Sequence, residues 1–143
     1  MQVIHTPISN LSSVVFDNLE FGKVFTDYMM VSDYNGEEWS DFEIQPLQSL
    51  SMHPATSVLH YGQAIFEGLK AYRRKDGRIQ LFRIKDNAER FKLSCERMVM
   101  PAISEEIFIN AVLSVVKANE IFVPPYGNKE TLYIRPFMIG IGN

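Results

Sequence analysis

Two arginines stand in settings where a guanidinium needs an anion. Arg90 lies beside Phe91 and two residues after Ala88, and Arg135 sits between Ile134 and Pro136 in an otherwise apolar run. An unpaired buried charge is costly. Arginine's planar fork is the side chain best shaped to grip a phosphate or a carboxylate with two parallel hydrogen bonds. Two readings stay open for each: a ligand for an external anion, or a structural ion pair with an Asp or Glu of the same chain. Tyr61 and Tyr133 fall in apolar runs, where core packing with a satisfied hydroxyl is the default expectation.

Other chemistries find little support. His5, His53 and His60 lie far apart, with no His-x-x-x-His pair, so no metal site is expected. The single cysteine, Cys95, rules out an internal disulfide and reads as a small apolar filler in a helix. There is no Gly-x-Ser-x-Gly elbow, and Gly140-x-Gly142 is too short for a dinucleotide fingerprint and reads as a turn. A net charge of −3 with scattered Lys and Arg excludes a nucleic-acid footprint. The one dense basic spot, Lys70 to Lys75, runs into Asp76-Gly77 and reads as the exposed end of a hairpin. No signal peptide or membrane span is expected, and the chain reads as soluble and cytoplasmic. With 46% apolar residues over 143 positions, it can bury a core of its own.

The elements that must hold these residues follow from pattern. The first 18 residues read as an irregular arm. Lys23 to Val31 is rich in strand formers, Asn35-Gly36 signals a hairpin, and Trp39 to Gln45 supplies a return strand. Val58, Tyr61, Ile65 and Phe66 recur at helical spacing, so Ser57 to Phe66 reads as a short helix ended by Gly68. Leu69 to Arg73 and Arg78 to Arg83 read as strands joined by Asp76-Gly77. Asp86 is expected to cap the next helix, with Glu89 completing a capping box and Ala88, Phe91, Leu93, Cys95 and Met98 on its apolar face. After Pro101, Ser104 starts a second helix with Glu105 and Glu106 in its first turn, carried by Ile107, Ala111, Leu113, Val115 and Val116 to about Ile121. Thr131 to Arg135 is a strand, continued after a break from Pro136 to Ile141. Hairpins with a consecutive helix pair make this an α+β fold, mainly antiparallel, with helices packed on one face of the sheet.

Four blocks then carry a resemblance. Leu59 to Tyr72, reading LHYGQAIFEGLKAY, resembles the segment that marks fold-type IV enzymes dependent on pyridoxal 5'-phosphate (PLP). Leu81-Phe82-Arg83 with Asn87 and Arg90 is similar to the next family block, and Leu132-Tyr133-Ile134-Arg135-Pro136 to the third. Phe21 to Met29, reading FGKVFTDYM, is similar to the start typical of the larger branched-chain amino acid aminotransferases. This start favours the branched-chain group over the alternative within the fold, D-amino acid aminotransferases and aminodeoxychorismate lyases, which share the Tyr-Gly and Arg blocks but tend to lack it.

The resemblance implies a PLP-dependent transfer of amino groups between leucine, isoleucine or valine and 2-oxoglutarate, in branched-chain amino acid metabolism, by a homodimer. It implies that Arg90 holds the PLP phosphate. It places Tyr61, Phe66, Tyr133, Arg135 and, less directly, Phe21 around the substrate, with Glu67 and Gly68 structural. None of Lys23, Lys70, Lys75, Lys85, Lys92, Lys117 or Lys129 falls at the family's PLP-lysine motif. That lysine is expected beyond residue 143, in a larger domain. Residues 19–143 are therefore expected to be a truncated small domain behind an arm of residues 1–18, inactive alone. A non-catalytic dimerisation or binding module is the alternative from another class.

Overall fold

A computed structural model describes residues 9–127 and 129–142. The architecture is α+β, as the pattern predicts. Among the described residues the strands form three short antiparallel sheets and the two long helices follow each other in the chain. Part of the expected arm, residues 1–8, lies outside the described residues; residues 9–18 carry only a 3-10 turn, Asn10–Ser13.

The first ladder pairs β1 (Tyr28–Val31) with β2 (Glu43–Pro46). Both are shorter than predicted. The Asn35-Gly36 hairpin is present, with Asn35 accepting from the backbone of Glu37 and Glu38, but beyond the Tyr34–Trp39 bridge the strands part.

The segment after Pro54 departs from its expectation. Only Ser57–Tyr61 is helical (α1). Gly62 then turns left-handed at φ 61°, and residues 64–66 form a strand, β3 (Ala64–Phe66). The apolar spacing that suggested a second helical turn belongs instead to a strand burying alternate side chains. β3 pairs with β7 (Phe137–Ile139), while β4 (Leu69–Arg73) sits between β5 (Ile79–Leu81) and β6 (Leu132–Ile134).

The β3/β7 and β4/β6 ladders are one ladder with a gap. Phe66 faces Phe137 and Leu69 faces Ile134, three residues on in one strand and three back in the other, so the register is unbroken. Between them stand Glu67-Gly68 and Arg135-Pro136. Proline has no N–H to donate, so only the Glu67 N–H to Pro136 carbonyl bond, 2.8 Å, closes this stretch. Along residues 64–72 burial alternates strictly: Ile65, Glu67, Leu69 and Ala71 are buried, and Phe66, Gly68, Lys70 and Tyr72 are exposed.

The buried face is covered by α2 (Ile84–Arg97) and α3 (Glu105–Ala118). Phe91 of α2 and Phe108 of α3 meet with ring centroids 5.2 Å apart. Burial on α2 runs through Asn87, Ala88, Phe91 and Cys95, so Leu93, expected on the apolar face, is exposed instead. Phe108, Val112 and Val116 play that part on α3, in place of Ile107 and Leu113. Ser104 caps α3 as predicted, its hydroxyl accepting from the Ile107 N–H at 3.1 Å. The α2 start does not follow its prediction. Arg83, left-handed at φ 53°, is the cap residue; Asp86 lies inside the first turn and pairs with Arg83. The tight exit from β5 moves the helix cap three residues earlier, from Asp86 to Arg83, so no capping box forms. Asn119, buried at the end of α3, accepts from the Tyr28 N–H and donates to the Tyr28 carbonyl, tying the first ladder to the helices. No helix among the described residues is long and apolar enough to cross a membrane.

Candidate functional site

The alternation of β3 and β4 sorts the candidate residues into two groups on either side of Glu67-Gly68. On the face away from the helices, Phe66 projects from β3. Arg135 stands opposite Gly68 on the partner strand and Tyr133 opposite Lys70. The Arg135 guanidinium lies 4.4 Å from the centre of the Phe66 ring and 5.1 Å from that of Tyr133. It donates to the Tyr133 hydroxyl from Nε at 3.2 Å and from Nη2 at 2.7 Å. Phe21 packs edge-on against Tyr133, with centroids 5.0 Å apart. Four of the five expected substrate residues thus form one continuous surface, three of them aromatic.

This surface is open. Phe21 is 76% and Phe66 62% exposed. The default expectation of a core-packed tyrosine fails most clearly for Tyr61, which ends α1 and is 83% exposed. It stands outside the cluster; the ring nearest it is that of His60, at 6.4 Å. Arg135 is likewise exposed rather than buried, and among the described residues it has no carboxylate partner. Its strand lies at the open face of the ladder, so the apolar neighbours in sequence do not enclose it.

The second group lies on the helix side. Arg90 of α2 donates from Nε to Glu67 Oε1 at 2.9 Å and from Nη2 to Glu67 Oε2 at 2.8 Å, a side-on bidentate pair. Asn87, one turn earlier, donates to the same Oε2 at 2.8 Å and to the Gly68 carbonyl at 3.3 Å. Burial by itself would raise the Glu67 carboxyl. The hydrogen bonds from Arg90 and Asn87, the Arg90 charge and the Gly68 backbone outweigh it and hold the group below the usual carboxylate range. The same pairing raises Arg90. Of the two readings left open for Arg90, the internal ion pair is therefore realised. It does not exhaust the arginine: the pair uses two of the five guanidinium donors, and the side chain remains 58% exposed.

Arg90 lines an open cleft of ≈ 320 Å³ together with Gly68, Lys70, Tyr72, Arg83 and Asn87. Three cationic residues, Lys70, Arg83 and Arg90, line it, as does the acid Asp86, which pairs with Arg83. The donor set suits a phosphate dianion: a rigid fork, two further cations and the first turns of a 14-residue helix. The cleft and the aromatic surface meet at Gly68. A β-carbon there would overlap the Tyr133 hydroxyl and lie 3.0 Å from its Cζ, so only glycine lets the tyrosine lie against the strand.

All seven lysines are exposed, as expected of solvated surface residues. Cys95 is fully buried, and burial pushes its thiol up, as suits an inert filler. Glu67 was expected only to be structural. Ile65-x-Glu67-x-Leu69-x-Ala71, read with a period of two, places this acid on the core face and demands a cation opposite.

No family model matches the chain. It is 44% identical over 134 residues to a branched-chain-amino-acid aminotransferase of Helicobacter pylori, covering 94% of this chain and 39% of that protein. It is 49% identical over 123 residues to branched-chain-amino-acid transaminase 1 of Bacillus subtilis, covering 85% and 34%. Among solved structures, the branched-chain aminotransferase of Thermoproteus uzoniensis with norvaline superposes with a TM-score of 0.57 at 28% identity, over 70% of this chain and 31% of that one. The chain thus spans about two-fifths or less of these relatives.

Proposed function

We propose, for a chain that belongs over its shared span to the branched-chain aminotransferases, that it supplies the phosphate anchor and one wall of the substrate pocket for PLP-dependent transamination. In this reading Arg90 grips the PLP phosphate from the cleft, aided by Lys70 and Arg83. When bound, PLP supplies the electron sink that lets the α-proton of an amino acid move. The observation that carries the reading is the meeting at Gly68: the anion cleft and the Phe21–Phe66–Tyr133–Arg135 surface adjoin there.

The surface has the chemistry of an aliphatic amino acid site. Phe21 and Phe66 offer apolar area to a leucine, isoleucine or valine side chain, worth roughly 1.5–3 kcal/mol on full burial. Arg135 donates twice to the Tyr133 oxygen. This occupies the lone pairs and turns the hydroxyl proton outward, where it can donate to a substrate or oxo-acid carboxylate. Arg135 therefore orients Tyr133, and 2-oxoglutarate is the acceptor we assign. The exposed aromatics need cover to exclude water from such a reaction, which favours a homodimer and a further domain packed against them. Tyr61 would join the pocket only through such cover.

The PLP-anchoring lysine is assigned to none of the seven, because none falls at the family's PLP-lysine motif and all are exposed. Two outcomes test this. The 143-residue chain should not turn over L-leucine with 2-oxoglutarate, and borohydride reduction in the presence of PLP should label its lysines sparsely and without preference. Turnover, or stoichiometric labelling of one lysine, would mean that the catalytic group lies within these residues.

A further inference from the structure

Glu67 is an acid where packing asks for an apolar residue. It lies on the helix-covered face between Ile65 and Leu69 and is 8% exposed. A well-packed hydrophobic side chain there would generally serve stability as well or better than half of an ion pair. Its partner is not buried to match, since Arg90 is 58% exposed. The pair is thus lopsided: a fixed carboxylate holds a guanidinium that reaches into the cleft.

The fixing is thorough. The Glu67 backbone is held by Pro136, and its carboxylate receives Arg90 at both oxygens and Asn87 at one. Asn87 also reaches the Gly68 carbonyl, locking the carboxylate to the strand behind it. A side-on grip at Nε and Nη2 sets the plane of the guanidinium and leaves its Nη1 edge as the free end of the fork. A long, half-exposed arginine without that grip would sample many rotamers and lose them on binding an anion.

We propose that Glu67, supported by Asn87, is a positioning residue for Arg90: it orients the guanidinium for anion binding, although its own charge opposes the anion. This rests on the reading of Arg90 as the phosphate ligand. The two roles of Glu67 have opposite signs, which makes them separable. As a bare counter-charge, its removal tightens anion binding; as a positioner, its removal weakens it.

The test follows the Arg90 Nε–H resonance of the nitrogen-15-labelled chain during titration with inorganic phosphate at pH 7.5. The wild type should show a saturable shift. Glu67→Ala should raise the dissociation constant about tenfold and speed exchange of the Arg90 Nε–H with water, with Asn87→Ala giving a smaller change in the same direction. Glu67→Gln keeps the size and one acceptor, and should fall between wild type and Glu67→Ala; it decides the matter if the alanine variant does not fold. Folded Glu67→Ala or Glu67→Gln variants that bind phosphate as tightly as wild type, or more tightly, overturn the positioning role while leaving the anion site in place. A wild type with no saturable shift at Arg90 removes the anion site itself, and the positioning role with it.

Discussion

Replacing Gly68 with alanine tests whether the two halves of the site are mechanically joined. Gly68 has an ordinary backbone conformation, so the substitution brings no φ strain; the cost is contact. The new methyl would overlap the Tyr133 hydroxyl and crowd Cζ at 3.0 Å and Cε2 at 3.3 Å. Tyr133 cannot withdraw freely, because Arg135 donates two hydrogen bonds to it and Phe21 packs on its edge. If the ring stays, the cost is that of overpacking, about 1–3 kcal/mol. If it swings away, hydrogen bonds to a charged donor are lost at an exposed position, at about 1 kcal/mol. Gly68→Ala should therefore destabilise by about 1–2 kcal/mol, a fall in Tm of roughly 3–10 °C for a domain of this size. Thermal unfolding followed by circular dichroism measures this. Tyr133→Phe removes the overlapping oxygen, so it should cost about 1 kcal/mol less in the Gly68→Ala background than alone. Simple additivity, or a Gly68→Ala variant within about 0.5 kcal/mol of wild type, would refute a fixed Tyr133–Gly68 contact.

Three further outcomes follow from other parts of the molecule. Val99 is left-handed at φ 53° and 88% exposed, so Val99→Gly should relieve strain and stabilise by about 0.5–1 kcal/mol net of glycine's entropy; a lowered Tm would contradict this. The folded state holds the Glu67 carboxyl below its ordinary value of 4.5, so its contribution is present above that pH and lost as pH falls through the lower, folded value. Glu67→Gln should thus cost about 1 kcal/mol at pH 7, discounted for the exposure of Arg90, and progressively less under acid conditions; a penalty constant down to pH 3 would count against it. Cys95, fully buried with its thiol pushed up, should resist Ellman's reagent in the native chain and react fully in denaturant, whereas fast native labelling would place it at an accessible surface.

Much of the fold was legible because its signals are local. Asp76-Gly77 and Asn35-Gly36 name their turns, and Ser104 with its acidic first turn names the α3 start. Two elements were misread for identifiable reasons. In residues 57–66 the short helix and the following strand each contribute apolar residues, and together they mimic one helical period until Gly62 is recognised as a left-handed stop. At Asp86 the capping box was plausible in sequence, but the tight turn from β5 through Arg83 fixes the helix start instead. The site was legible in its residue types and less so in its environments. Nothing local reveals that Tyr61 and Phe66 face outward, because that depends on which face the helices cover. The Glu67–Arg90 pair joins residues 23 apart, and only the period-two burial of β3 and β4 brings it into view.

If Arg90 reads a phosphate, two ligands differing in that group alone must bind differently. Calorimetric titration of the chain with PLP and with unphosphorylated pyridoxal should show clear preference for PLP, with about tenfold or more of it lost in Arg90→Ala, as expected for one charge-assisted bidentate contact. Equal affinity for the two ligands, or a preference for PLP that survives Arg90→Ala unchanged, would contradict the account.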